Sequence, residues 1–222
     1  MDWTALKVSL WLALATAAVL LPLGVYCARL IVFGDFRGKA LLEAGLTLPL
    51  VLPPTVLGYY LLVTMGAGSP LGQLWERLTG HPLAFSFSGL LLGSIVFNIP
   101  FALMPMQRAF EAIAPEVREA AACCGISPWR TLWRIELPLA WPGIISGMIM
   151  TIAHTMGEFG VVLMIGGSIP GTTRTVAISI YDSVQAFDMR AAGTMSAALL
   201  AFALATLAFT NWLARKRLQA RA

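Results

Sequence analysis

Charge is what this chain has least of. Asp, Glu, Lys and Arg make up 12% of its 222 residues, where an ordinary soluble domain carries about a quarter. The apolar share is 58% and the mean hydropathy +0.79, which excludes a water-soluble domain and makes lipid the solvent. Cysteine is also scarce. Cys27, Cys123 and Cys124 form neither a paired framework nor a metal-ligand spacing, so no disulfide, no metal and no cofactor is expected. The net charge of +4 does not point to nucleic acid, because the basic residues sit between apolar runs and form no face. No Gly-rich run is followed by Lys and Ser or Thr in the P-loop arrangement, which rules out ATP hydrolysis by that route.

What the chain does have is long apolar runs. They occupy about residues 8–32, 41–65, 84–106, 140–164 and 190–213, each long enough to cross the hydrocarbon at about 20 residues per span. The expected fold is an all-α, polytopic membrane helical bundle of about five transmembrane helices, a single domain over residues 1–222. The first run is read as a span and not a cleaved signal, since it continues past Pro22 and Gly24 to Arg29. Basic residues near span ends resist translocation, so their distribution sets the orientation. With the C-terminus inside, eleven fall on the cytoplasmic side: Arg29, Arg37, Lys39, Arg108, Arg118, Arg130, Arg134, Arg215, Lys216, Arg217 and Arg221. Only Lys7, Arg77, Arg174 and Arg190 fall outside. The N-terminus is therefore expected outside, the C-terminus in the cytoplasm and the loop at about 107–139 cytoplasmic. In the outer segment 166–189, Val176, Ile180 and Val184 recur at helical spacing, which predicts an interfacial helix or a cover for the bundle mouth.

The cytoplasmic loop is more organised than a connector requires. Pro115 suits a first helical turn, Val117, Ala120, Ala121 and Cys124 share a face, and Gly125 supplies a left-handed stop. Ser127 is expected to cap a second helix with Pro128 at its first position, Trp129, Leu132 and Trp133 to form its stripe, and Pro138 to end the unit. Glu119, Ala120 and Ala121, then three residues and Gly125, then nine residues and Ile135, Leu137 and Pro138 together resemble the EAA loop of ABC importer permeases. That resemblance implies a type I importer-like bundle whose loop docks into a cleft of a separate ATP-binding cassette ATPase. Small alanines let a helix seat deeply in a partner groove, and Gly125 permits a close turn.

A second resemblance covers most of the chain. LPLVLPPTVLGYYLL at 48–62, GEFG at 157–160 and IPGTTRT at 169–175 are similar to segments of molybdate-importing permeases. The likeness implies import of an oxyanion delivered by an external, extracytoplasmic binding protein across a bacterial inner membrane. Sulfate, tungstate and ferric-ion permeases share the general plan, so the identity of the anion rests on family likeness. Five spans enclose little space and an ATPase pair offers two clefts, so a homodimer embedded in membrane lipid is expected.

Burying a dianion in a low-dielectric bundle needs compensating groups, yet the span interiors hold almost no cations. They offer Thr47, Thr55, Asn98, Thr151, His154 and Thr155 as neutral contacts, in a chemistry that touches the anion weakly. Ser and Thr in spans also commonly bond their own backbone. Pro49, Pro53 and Pro54 force the second span to bend or break, so Pro53, Pro54 and Thr55 are expected at the pathway. Glu158, flanked by Gly157 and Gly160, is the acid expected closest to a span core, one turn after His154 on the same face, as a gate or helix-to-helix bond. An ion-coupled secondary transporter would need intramembrane acids or internal repeats, neither convincingly present. A membrane enzyme would need a clustered nucleophile, acid pair or metal set, for which His154 and Glu158 alone are thin support.

Overall fold

The computed structural model describes residues 1–220, with side chains described except at Asn211 and 213–220. The side chains of Arg215, Lys216 and Arg217, and all of Arg221, therefore lie outside the described residues. Every regular element among the described residues is helical. The first apolar run forms α1 (Trp3–Phe33), started by the Asp2 carboxylate, which accepts from the Thr4 and Ala5 amides. Ala5, Leu12, Ala17, Leu20, Ala28 and Ile31 fall on its buried stripe.

The second run breaks as its prolines require. α2 (Lys39–Val51) and α3 (Pro54–Met65) meet at 112°. Leu52 and Pro53, each preceding a proline, are extended, because a following proline ring disfavours helical backbone. After the short amphipathic α4 (Pro70–Thr79) comes α5 (Phe87–Glu111), capped by the Ser86 hydroxyl. Then follow α6 (Pro115–Cys123), α7 (Pro128–Thr131) and a π-helical segment (Leu132–Glu136) that runs directly into α8 (Leu137–Gly157). The remaining helices are α9 (Gly160–Gly166), α10 (Val176–Gln185) and α11 (Met189–Ala220).

Four helical stretches are long and apolar enough to cross a membrane, and the bent α2/α3 pair makes a fifth. α1, α5 and α8 form the centre. Gly143 and Gly147 let α8 approach α5 so closely that a Cβ would lie 2.6 Å from the Pro105 carbonyl oxygen and 2.7 Å from that of Ala102. Such small-residue contacts suit a lipid setting, where apolar side chains gain nothing by leaving the solvent and packing must hold the helices together. The outer surface fits that setting: Trp11 is 69% exposed, Tyr60 63% and Leu204 59%. One apolar core lies around Leu103, Met106, Phe110 and Ile144. A second lies around Leu12, Leu90, Val161 and Ile165.

The structure corrects two local expectations. Pro138 does not end the loop unit; it sits in the first turn of α8, and one helical rod runs from Pro128 to Gly157. The π segment absorbs the missing proline donor, since a widened turn already rearranges the local hydrogen bonds. The fourth run is not one helix either. It breaks at Glu158, whose backbone is extended, so Glu158 does not share a helical face with His154.

Candidate coupling hairpin and translocation region

α6 ends as a left-handed cap dictates. The amides of Cys124, Gly125 and Ile126 bond back to the carbonyls of Ala120, Ala122 and Ala121 at 2.9–3.0 Å. Gly125 has φ +70°, and a Cβ there would touch nothing within 4 Å. Its glycine answers to backbone conformation and not to crowding. Ser127 occupies the cap position of α7, but its hydroxyl makes no capping bond. Its carbonyl instead receives the Thr131 amide and hydroxyl.

The hairpin thus has two faces. Glu119, Ala120, Cys123, Cys124 and Gly125 are exposed, and Trp129 and Trp133 stand out edge to face at 5.7 Å. Ala121 is buried, Ile135 and Leu137 are half-buried, and Leu137 packs on the core around Met106. Glu136 is the residue the sequence reading missed. It is more deeply buried than Glu158, and Arg29 and Arg118 hold its carboxylate. The available signal was an acid between two apolar residues, with Arg118 across the hairpin turn.

The polar candidates divide into three groups. Thr47, Thr151 and Thr155 turn to their own helices, donating to the carbonyls of Glu43, Gly147 and Thr151 at 2.8–2.9 Å. Asn98 and His154 come together between α5 and α8. The Asn98 amide donates to the Ser94 carbonyl at 2.8 Å, leaving its oxygen, 3.0 Å away, to accept from His154 Nδ1. Thr16, also missed, extends this network to α1 through the Ser94 hydroxyl at 2.9 Å. The His154 ring stacks on Phe101 at 3.7 Å.

The third group lies where two helix breaks meet. Pro53, Pro54 and Thr55 are exposed at the α2/α3 bend, and a Cβ on Gly160 would lie 2.7 Å from Pro54 Cβ. Gly157 is exposed, and a Cβ added there would meet nothing within 4 Å. Glu158 is buried and accepts from the Val161 amide at 3.0 Å, so its carboxylate restarts the chain as α9 and makes no bond to another span. The helix-to-helix bond expected there is replaced by a local cap. Between α2, α5 and α8 opens a cleft of about 520 Å³, lined by Leu50, Phe101, Arg108, Ser146 and Met150 among others. Phe101 separates this cleft from His154. Among the described residues no three His, Cys, Asp or Glu side chains gather to hold a metal, and the three cysteines are unpaired.

The fold is a bundle of crossing helices from which a two-faced hairpin projects. The chain belongs to the family described as binding-protein-dependent transport system inner membrane component, which matches residues 20–217. It is therefore a multi-pass bacterial inner-membrane protein, a transport subunit and not an enzyme. It is 44% identical over 206 residues to the molybdenum transport system permease protein ModB of Azotobacter vinelandii, covering 93% of this chain and 91% of that one. The ModB of Escherichia coli is 36% identical over 215 residues, covering 96% and 94%. A probable sulfate transport system permease protein cysT of Chlorella vulgaris is 31% identical over 177 residues, covering 80% and 66%. The fold matches a bacterial alginate ABC transporter, crystallised with an alginate-bound periplasmic protein, at a TM-score of 0.75 and 18% identity, over 96% of this chain and 78% of that one.

Proposed function

We propose that this chain is the permease subunit of an ATP-driven importer that moves molybdate delivered by an extracytoplasmic binding protein. The observation that carries the reading is its 44% identity to a molybdenum permease across nine-tenths of both chains. The sulfate permease is less similar and extends well beyond the matched region.

In this reading residues 1–222 form one transmembrane domain with the N-terminus outside and the C-terminus in the cytoplasm. The exposed face of Glu119, Ala120 and Gly125 seats in a separate ATPase, Ala121, Ile135 and Leu137 root the hairpin in the bundle, and the exposed Pro138 starts the helix that carries it into the membrane. Two copies pair around a shared path, and ATPase closure rocks them between outward-open and inward-open states. The breaks at Pro53, Pro54 and Thr55 and at Gly157, Glu158 and Gly160 supply the moving gate. Non-helical backbone at membrane depth persists where protein or a wet cavity covers it. Asn98 and His154 brace the helices behind the cleft, the buried Thr151 and Thr155 stiffen α8 there through bonds to their own helix, and the half-buried Thr47 borders the path. The path has few charges and releases the anion readily, leaving selectivity to the binding protein.

The test is uptake of radiolabelled molybdate into vesicles holding the reconstituted complex, with tungstate and sulfate as competitors. ATP-dependent molybdate uptake resistant to excess sulfate supports the reading. Sulfate uptake that molybdate does not suppress would replace it with a sulfate permease.

A further inference from the structure

The hairpin joins the bundle at one buried ionic cluster. The Glu136 side chain is 0% exposed. Its Oε2 accepts from Arg29 Nε at 2.5 Å, and its Oε1 accepts from Arg29 Nη2 at 3.3 Å and from Arg118 Nε at 3.1 Å. Arg29 belongs to α1, Arg118 to α6, and Glu136 to the π segment at the root of α8. The Arg118 guanidinium also lies 3.8 Å over the Phe33 ring, which meets Phe110 of α5 edge-on at 6.0 Å. Three elements therefore meet at one carboxylate, and α5 backs the Arg118 side through Phe33.

The π segment makes this possible. In a regular helix residues three apart share a face, yet Trp133 is 57% exposed and Glu136 fully buried. A π turn holds one residue more than an α turn, which offsets the faces on its two sides by about 100°. The tryptophan is thereby left outside while the acid turns in. A buried carboxylate is retained at this cost only when it is fully paired, and here both oxygens are used. Apolar contacts at the same junction can slide; a carboxylate gripped from two directions fixes α6 to α1.

We infer that Glu136 is a positioning residue for coupling, tying the hairpin to the first span through Arg118 and Arg29 so that a push on α6 moves α1 with it. This rests on the reading of the hairpin as the ATPase dock. Removing the carboxylate leaves two guanidinium groups facing one another, which loosens the joint without altering the exposed docking face.

The experiment uses the full complex, co-expressed with its ATPase and binding protein and reconstituted in vesicles, and reads molybdate transported per ATP hydrolysed. Glu136→Gln and Arg118→Gln should each retain the ATPase on purification and still hydrolyse ATP. The transport ratio should fall about fivefold or more, the lower range of energetic coupling between sites. The double variant should be no worse than the poorer single one, and Arg118→Lys should recover part of the loss. An unchanged ratio in either assembled variant, or losses that multiply, overturns the inference. If Glu136→Gln fails to assemble, Arg118→Gln decides alone, since that side chain is 36% exposed and its loss leaves Glu136 paired to Arg29. Ala120→Trp, on the exposed face, tests the dock separately: retained ATPase binding there refutes the dock, whereas a changed ratio at Glu136 with the ATPase bound concerns the tie alone.

Discussion

Single residues in this bundle differ in whether their polar groups reach across helices or turn back on their own. Asn98 reaches across, holding both the Ser94 carbonyl and His154 Nδ1 while fully buried. Asn98→Ala should destabilise the protein by about 1 kcal/mol, the scale of a buried interhelical bond in membrane proteins, and lower the thermal unfolding midpoint in detergent. Thr47→Val removes only a hydroxyl bonded to its own helix, and should change stability by under about 0.5 kcal/mol in the same assay. Glu158 separates charge from capping. Gln retains an oxygen for the Val161 amide, so Glu158→Gln should assemble normally and alter the uptake rate, whereas Ala should also destabilise α9. An unchanged rate in the Gln variant would remove Glu158 from the gate.

At the scale of elements, the sequence showed most of what local chemistry controls. The five apolar runs, the proline break before α3, the start of α6 at Pro115 and its end at Gly125 each follow from the residues on the spot. Gly125→Ala should weaken the hairpin turn by roughly 1 kcal/mol, the cost of left-handed backbone for a residue with a Cβ, and reduce ATPase retention on purification. Gly147→Val should be far more damaging, because its side chain meets the Ala102 carbonyl and drives α8 from α5; expression and monodispersity on a sizing column measure this. What the sequence did not show depends on distant partners. Glu136 meets an arginine 107 residues away, and its own neighbours read as an ordinary apolar helix start. The π turn and the persistence of the helix through Pro138 lie at that same junction. His154 and Glu158 read as one helical face because the spacing alone does not show the extended backbone at Glu158, beyond which α9 packs against α3.

The whole molecule presents its two ends to different tasks. At one end α10 covers the start of α1, where Ser9 accepts from the Val176 amide at 2.8 Å and Ser179 donates to Asp2. At the other end Arg29, Arg118 and Glu136 gather beneath the hairpin. Cys123 and Cys124 are exposed on that hairpin; with the proposed orientation, an impermeant thiol reagent should label them in inverted vesicles holding the permease without its ATPase and not in intact cells. Labelling in intact cells would reverse the orientation. The central claim, that this bundle moves molybdate under the control of an ATPase on its hairpin, is tested most directly by uptake into vesicles containing the complete complex. The account predicts molybdate accumulation that requires ATP, the binding protein and an intact hairpin. Accumulation that continues at the same rate with the residues from Glu119 to Gly125 scrambled would contradict it.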